Sequence, residues 1–311
     1  MARSLRDLRR KMKAIKSTRQ VTKAMELVAA SKMRRAVQNA VQLRRYASTA
    51  MSILERMAEV HPELHPYLTE RPSGKILALL FTSDRGLCGS LNAQLFRAVR
   101  EYIRSVGKLP EFETLEFIAL GRKGQQFLAR EKQNIAAAFP AMSNHPSFQD
   151  ALPVVRLATE GFLTGTYDQV VLLFPDFVSA LLQEPTVRVL LPFSPTDLKE
   201  MLASLLPKKR SAEHLPTTHY SLHTVKEYLF EPSPDELLQT ILPQLTEVQV
   251  YQAILEAAAS EHSARMVAMR SATDNANEIL DDLTLTYNQT RQANITAELA
   301  EISASKAALE R

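Results

Sequence analysis

The sequence predicts an α/β protein whose two ends form long helices, and three observations support this fold class. Neither proline nor glycine occurs in the first 61 residues or in the last 68, whereas all 16 prolines and all 8 glycines lie between Pro62 and Pro243. These two residue types are the ones that most disfavour a helix interior. Apolar runs of strand length alternate with helical patterns only in the middle, and the two ends differ in charge. The sequence therefore predicts a globular body with a helical shaft built from both termini.

The two terminal segments carry opposite charge. Residues 1–61 hold 15 Lys and Arg against 4 Asp and Glu, whereas residues 244–311 hold 5 against 10. Both segments repeat apolar or small residues at spacings of three and four, which predicts helices that lie against each other along a seam. A helix as long as the second segment would extend roughly 100 Å at ~1.5 Å per residue.

The seam of the C-terminal segment weakens toward its end. Beyond Tyr287, the seam positions are Thr290, Asn294 and Ala297, none of which is a large apolar residue. A single helix with a polar face is marginally stable in isolation. We therefore expect the end of this helix to project past its partner and to be held by something else.

Apolar strands alternate with helical patterns in the middle of the chain. Such alternation predicts a mostly parallel sheet that is covered by helices on both faces. Helical patterns follow the first two predicted strands, and a third helix is predicted over Phe148–Thr164 despite Pro153. The predicted strands are Lys75–Thr82, Leu115–Leu120, Gln169–Phe174 and Thr186–Leu191.

Composition divides the chain into three parts. We predict an N-terminal shaft helix over 1–61, a central α/β domain over 62–233 and a C-terminal shaft helix over 234–311. Within the central part, residues 194–218 contain three prolines and the run Lys208-Lys209-Arg210, which indicates a helical insert that ends in a surface loop.

Composition also excludes several classes of protein. No apolar run approaches the ~20 residues needed to span a bilayer, and Arg and Lys interrupt every apolar run near the start, so no secretory signal is expected. The first 20 residues resemble a mitochondrial presequence, but their helical pattern continues far beyond a cleavable leader. Cys88 is the only cysteine, which rules out an intrachain disulfide and a cysteine-based zinc site.

Two glycine-containing turns are the candidate sites for chemistry. Gly121 and Gly124 lie between a strand and a helix, where backbone amides can hold a phosphate. The turn lacks both the G-x-G-x-x-G spacing and the GK[ST] of a phosphate loop, so we favour a structural turn. The segment Ser83–Gly89 follows the first strand, and it too has no base or metal partner nearby in the sequence. We interpret Cys88 as a small packed side chain.

Histidine spacing gives only a weak indication of metal binding. His61 and His65 are four residues apart, as are His219 and His223, and this spacing on a helix can place two imidazoles on one metal. Neither pair has a clear third ligand, and His262 on the C-terminal seam is interpreted as a packed polar residue. The sequence predicts no metal, no cofactor and no catalytic residue.

Three segments resemble one family. The start, ARSLRDLRRKMKAIKSTRQVTKAMELVAASKMRRA, is similar to the N-terminus of the gamma subunit of F-type ATP synthases. SDRGLCGSLN resembles a motif that this family has at the edge of its sheet, with Ser90 where a second glycine is more usual. The run EHSARMVAMRSATDNANEILDDLTLTYNQTRQANITAELAEI resembles the long C-terminal helix of the family.

The resemblance implies a rotor that is not itself an enzyme. It implies a Rossmann-like central domain and terminal helices that form a long antiparallel coiled coil inside a ring of alpha and beta subunits. Further implied partners are the epsilon subunit and the membrane c-ring, with no nucleic acid. The implied function is to couple proton flow to ATP synthesis, at the cytoplasmic face of a bacterial plasma membrane and peripheral to it.

The same resemblance assigns contact residues. Lys23 and Met25 correspond to the contact with a beta-subunit lever, and Arg291 and Gln292 to the contact with a catch loop higher in the ring. The residues at the foot that meets the membrane ring are Tyr228, Phe230 and Glu231. From the residues alone, Met25 could equally pack against the C-terminal helix, and Lys23 could be a solvated charge.

Two other functions are compatible with parts of the sequence. A coiled-coil protein that binds nucleic acid through the basic N-terminal helix would show salt-sensitive binding to DNA or RNA. A Rossmann-like enzyme with a helical arm would bind a nucleotide in the middle domain. Both are disfavoured, because no aromatic residue occurs within the basic run before Tyr46 and no phosphate loop is complete.

Overall fold

A computed structural model describes residues 5–58, 65–69, 71–72, 74–143, 146–193 and 234–309. Five helices and five strands follow one another along these residues, with a short 3-10 turn at Pro66–Leu68. In chain order they are α1 Leu5–Ala58, β1 Lys75–Phe81, α2 Leu91–Val106, β2 Thr114–Leu120, α3 Arg122–Arg130, β3 Asn134–Phe139, α4 Phe148–Leu163, β4 Gln169–Phe177, β5 Gln183–Leu191 and α5 Pro234–Leu309.

The five strands form one sheet in the order β3-β2-β1-β4-β5. The pairs β1–β2, β1–β4 and β2–β3 are parallel, and β5 is antiparallel to β4. A short hairpin joins β4 to β5, whereas a parallel connection needs a crossover of a dozen or more residues. The prediction of a mostly parallel sheet is confirmed.

Helices cover both faces of the sheet, as the unbroken apolar strands predict. One face packs against α4 and the first part of α5, and Phe162, Leu242 and Ile254 belong to this layer of the core. The other face packs against α2 and α3, with Leu95 and Phe127 among the buried side chains. The central strand β1 is buried along six of its seven residues, which is typical of a parallel strand covered on both sides.

The strand β3 is absent from the sequence-based assignment. Its sequence, NIAAAF, alternates between exposed and partly buried residues, as expected for the edge of a sheet. Alanine is a poor strand former, and three consecutive alanines give no apolar periodicity that would indicate a strand. Pairing with β2 therefore determines this strand more than its own residues do.

Helix α4 begins with a capping box. Ser147 Oγ accepts a hydrogen bond from the amide of Asp150, and the Asp150 carboxylate accepts one from the amide of Ser147. This reciprocal arrangement satisfies two amides that the first turn leaves without helical partners. It fixes the start of the helix, and the helix continues through Pro153 as predicted.

The chain forms two compact units, each containing part of α1 and part of α5. The first contains residues 5–31 and 265–309, and the second contains residues 32–264 with the sheet. Helix α1 ends at Ala58 and α5 begins at Pro234. The boundaries between the compact units instead fall within these helices, after Ser31 and after Ala264. The predicted domain boundaries at 61/62 and 233/234 stay a prediction.

In the first unit the two helices run antiparallel. Arg9 contacts Tyr287, Arg19 contacts Asn277, and Thr22 contacts Thr273, so residue numbers rise on α1 as they fall on α5. The second unit has an equivalent pairing, because Ala36 packs with Ala258 and Leu43 packs against Val248. The sequence-based expectation of paired terminal helices is confirmed in each unit.

Candidate interaction surfaces

Polar contacts hold the helix pair of the first unit. Thr22 Oγ1 and Thr273 Oγ1 lie 2.8 Å apart and are buried. Arg19 Nη1 donates to Asn277 Oδ1 at 3.1 Å, and Arg9 Nε donates to the hydroxyl of Tyr287 at 2.9 Å. Of these contacts only Thr22–Thr273 is buried, and a buried polar pair on a helix seam is costly unless it is matched, so this pair specifies register. The seam is thus specific in register although weak in apolar content.

Lys23 and Met25 lie on α1 within this first unit. Lys23 is exposed, and its Nζ lies 3.0 Å from Glu26 Oε2 within the same helix. Such a surface ion pair contributes little to stability, so Lys23 is available to an outside partner. Met25 is half-buried. Three apolar side chains nearby are largely exposed, namely Val21, Leu27 and Val28.

The end of α5 is exposed from residue 291 to residue 305, which agrees with the weak seam beyond Tyr287. Arg291 and Gln292 both lie in this exposed stretch. It also carries three large apolar side chains, Ile295, Leu299 and Ile302, which are 49%, 60% and 67% exposed. Their spacing of four and three places them on one helix face, and this stripe is absent from the sequence analysis.

Several sequence-based assignments fall on residues that the structure does not describe. They include the proposed foot residues Tyr228, Phe230 and Glu231, the insert at 194–218 and the histidines His61, His219 and His223. These assignments stay predictions.

The turn at Gly121 and Gly124 is hydrogen-bonded to the residues that follow β1. The amide of Arg122 donates to Asp84 Oδ1 at 3.1 Å, that of Lys123 to the carbonyl of Ser83 at 3.1 Å, and that of Gly124 to Thr82 Oγ1 at 2.8 Å. These are the amides that a phosphate would need at this helix N-terminus. Thr82, Ser83 and Asp84, which follow β1, already accept hydrogen bonds from these amides. We therefore favour a structural role for the turn over phosphate binding.

The turn after β1 is also built from internal contacts. Asn92 Nδ2 donates to Ser83 Oγ at 2.7 Å and lies 3.3 Å from Cys88 Sγ. Cys88 is only 2% exposed. A buried thiol in such surroundings is structural, because reactive cysteines are partly exposed and electropositive. This agrees with the interpretation of Cys88 as a packed side chain.

His65 and Tyr167 are buried hydrogen-bonding groups. His65 Nδ1 accepts from the amide of Tyr67 at 3.1 Å, and burial lowers the pKa of His65, so the ring stays neutral. The hydroxyl of Tyr167 donates to Glu116 Oε2 at 2.7 Å. Burial, followed by the neighbouring Glu116 carboxylate, raises the pKa of Tyr167 to about 12, so this tyrosine is protonated at neutral pH.

The described residues form neither a metal site nor a membrane span. They contain no group of three or more His, Cys, Asp or Glu residues that could hold a metal ion. No helix among them is sufficiently long and apolar to span a membrane.

We expect the isolated chain to bind no nucleotide through the turn at Gly121, because the three amides of that turn already have partners. Calorimetric titration with ATP should therefore give no saturable heat that depends on this turn. Asp84→Ala, which would free the amide of Arg122, provides the comparison. Saturable binding in the wild type that is abolished by Lys123→Pro, which removes one of these amides in the first helical turn, would contradict the prediction.

The chain matches a known protein family over almost its whole length. The family described as ATP synthase matches residues 4–309. The ATP synthase gamma chain of Roseiflexus castenholzii is 41% identical over 309 residues, covering 98% of each chain. The ATP synthase gamma chain of Opitutus terrae is 42% identical over 305 residues, covering 97% of this chain and 98% of its own.

Solved structures share the fold at lower identity. A chain from the rotor of the Euglena gracilis mitochondrial ATP synthase aligns with a TM-score of 0.60 and 21% identity, covering 94% of this chain and 98% of its own. A chain from the OSCP/F1/c-ring assembly of the same organism aligns with a TM-score of 0.63 and 20% identity, over 98% and 94%. The sequence matches, together with the paired terminal helices, establish that the chain belongs to the ATP synthase gamma chain family.

Proposed function

We propose that this chain is the central-stalk rotor of an F-type ATP synthase, a non-catalytic subunit that couples proton flow to ATP synthesis. Its partners are the ring of alpha and beta subunits, the epsilon subunit and the membrane c-ring. Membership of the gamma chain family supports this function. The relatives with the same fold are described as rotor or central-stalk chains of ATP synthases.

The observation that carries the proposal is the antiparallel helix pair whose α5 end is exposed from residue 291 to residue 305. A free-standing helix with three exposed large apolar side chains is marginal in water, so it needs a surrounding partner. The polar contacts Thr22–Thr273 and Arg19–Asn277 keep the two helices in register under load. A rotor needs both properties, namely an internally fixed pair and an outer surface that other subunits can contact.

In the second unit, hydroxyl groups attach α5 to the sheet. Ser260 Oγ donates to the carbonyl of Pro175 at 2.9 Å, and Ser263 Oγ donates to the carbonyl of Ala180 at 2.6 Å. Both acceptors lie at the hairpin end of β4 and β5. Torque applied to the central domain would enter α5 through these bonds and through the apolar core beneath them.

The contact residues complete the proposal. Lys23 and Met25 contact a beta-subunit lever, and Arg291 and Gln292 contact a catch loop higher in the ring. The basic charge of residues 1–61 attracts acidic loops of surrounding subunits at long range, which orients the rotor without a tight interface. The foot at the membrane ring is formed by Tyr228, Phe230 and Glu231.

The proposed location is the cytoplasmic face of a bacterial plasma membrane, where the chain is a peripheral subunit. A role in nucleic-acid binding is not proposed, because the basic helix α1 uses Arg9 and Arg19 to contact α5.

A labelled complex tests the rotor function. Lys108 is exposed in the turn after α2, and the native Cys88 is buried, so Lys108→Cys provides one reactive thiol. The tagged chain should co-purify with alpha and beta subunits from membranes. A bead attached at residue 108 of the immobilised complex should rotate when ATP is added. Co-purification without rotation would contradict the rotor function. Recovery of the tagged chain without alpha and beta subunits would contradict the proposed partners.

We expect the end of α5 to be protected from hydrogen exchange only inside the complex. In the free chain, amides from about residue 290 to residue 309 should exchange rapidly, because the exposed side chains there lack a partner. In the assembled complex the same amides should be protected. Arg291→Ala should leave the melting temperature of the free chain unchanged. Strong protection in the free chain would mean that this end has an internal partner.

A further inference from the structure

A cavity in the second unit has a lining rich in hydrogen-bond donors. It has a volume of about 190 Å³ and lies between α1, α5 and the segment after β3. Lys32, Arg35 and Asn39 line it from α1, at the spacings of three and four that share one helix face. Ser143 and His262 line the opposite side.

His262 fixes the wall of this cavity. Its Nε2 lies 3.2 Å from the carbonyl oxygen of Ser143. Because a carbonyl only accepts, Nε2 carries the proton and donates. Both residues are buried, so the bond joins the segment after β3 to α5.

The chemistry of the lining favours an anion. Lys32 and Arg35 are cations, and the Asn39 amide and the Ser143 hydroxyl can both donate. Among the lining residues in the described part of the chain, none carries a carboxylate. Glu261 adjoins His262 and is buried, but it does not line the cavity. The donors therefore converge on a space that an oxyanion would fill.

The size of the cavity limits the ligand. At ~30 Å³ per water molecule, the volume corresponds to about six waters. This accommodates a tetrahedral oxyanion with part of its hydration shell. It is below the ~300 Å³ at which pockets begin to hold drug-sized ligands, so the cavity would not enclose a whole nucleotide. Arg35 is exposed, which gives the ligand access from solvent.

We propose that this cavity binds inorganic phosphate, with Arg35 as the principal ligand and Lys32, Asn39 and Ser143 as further donors. Bound phosphate would join α1 to the segment after β3 through charge-assisted hydrogen bonds. It would thereby stabilise the second unit as the phosphate concentration rises. The site is a property of the chain alone, so its failure would leave the rotor proposal untouched.

Calorimetric titration of the full-length chain with sodium phosphate, at constant ionic strength, tests the site. We expect one saturable site with a dissociation constant on the order of 1 mM. Arg35→Gln should weaken binding about tenfold, because it removes a charge-assisted hydrogen bond, and Lys32→Gln should also weaken it. Phosphate should raise the melting temperature of the wild type more than that of either variant.

Arg34→Gln is the matched control. Arg34 is also exposed and carries the same charge, but it lies about 100° around the helix from Arg35 and does not line the cavity. Its loss should leave phosphate binding within about twofold of the wild type, since only screened, long-range attraction changes. Sulfate should compete with phosphate, and chloride should not.

Three results would overturn the proposal. The first is the absence of saturable phosphate binding at tens of millimolar. The second is equal weakening by Arg34→Gln and Arg35→Gln, which would indicate diffuse attraction to the basic helix. The third is tighter binding of ADP than of inorganic phosphate, which would make a nucleotide the ligand.

Discussion

Gly121→Ala is expected to destabilise the native fold strongly. The Cβ atom would lie 2.2 Å from the carbonyl oxygen of Thr82 and 2.8 Å from its carbonyl carbon. Residue 121 also has a φ of +102°, which only glycine adopts without strain. We expect a loss of about 3–5 kcal/mol in the free energy of unfolding, which is a large part of the total stability of a domain.

The surrounding backbone has little freedom to move away. The amide of Gly121 donates to the carbonyl of Phe139 at 2.9 Å, and the amide of Thr82 donates to the carbonyl of Leu120 at 2.8 Å. The turn therefore lies where β1, β2 and β3 end. Relief of the clash would break hydrogen bonds at these three strand ends, so the strain would spread through the sheet.

Urea unfolding of the isolated chain, followed by circular dichroism, measures the loss. Gly86→Ala is the control, because a Cβ at that position meets nothing within 4 Å. It should change the unfolding midpoint little, since a surface substitution without contacts typically has an effect within ~0.5 kcal/mol. Similar midpoints for the two variants would contradict the importance of the close approach at Gly121.

The sequence predicted the buried strands better than the edge strand β3. Strands β1, β2 and β4 contain apolar runs because both faces of the sheet are covered, and such runs are recognisable without tertiary information. β3 is held by hydrogen bonds to β2 on one side, and its alanines carry little apolar signal. An edge strand of this kind depends on a neighbour distant in sequence, which no local pattern reveals.

The interaction surfaces were predictable only in part. The loss of large residues from the seam beyond Tyr287 predicted the exposed end of α5, because an unpaired helix face follows from the chain itself. The apolar stripe of Ile295, Leu299 and Ile302 was missed because these residues lie off the seam positions, although their spacing could have revealed it. The proposed roles of Lys23 and Met25 depend on other subunits, whose shapes are not encoded in this chain.

Met25→Lys is expected to uncouple proton pumping from ATP hydrolysis. Met25 is half-buried on α1, two residues from the exposed Lys23, whose Nζ pairs with Glu26. At the proposed contact with a beta-subunit lever, a new ammonium would form charge-assisted hydrogen bonds to carboxylates of that subunit, each worth ~1.5–3 kcal/mol. Release of the lever at each step would then slow by about tenfold or more.

The measurement compares ATP hydrolysis with proton pumping in inverted membrane vesicles. Protons pumped per ATP should fall several-fold in Met25→Lys while hydrolysis continues. The free chain should lose only ~1 kcal/mol or less of stability, because a half-buried site lets the ammonium reach solvent. Met25→Leu should keep normal coupling, since it conserves volume and apolar character.

Met25→Gln separates the effect of polarity from the effect of charge, and this variant should couple nearly normally. If Met25→Gln uncouples as strongly as Met25→Lys, apolar packing and not a new ion pair governs the contact. If Met25→Lys pumps normally, Met25 does not lie at the lever, and its side chain serves only the pairing of α1 with α5.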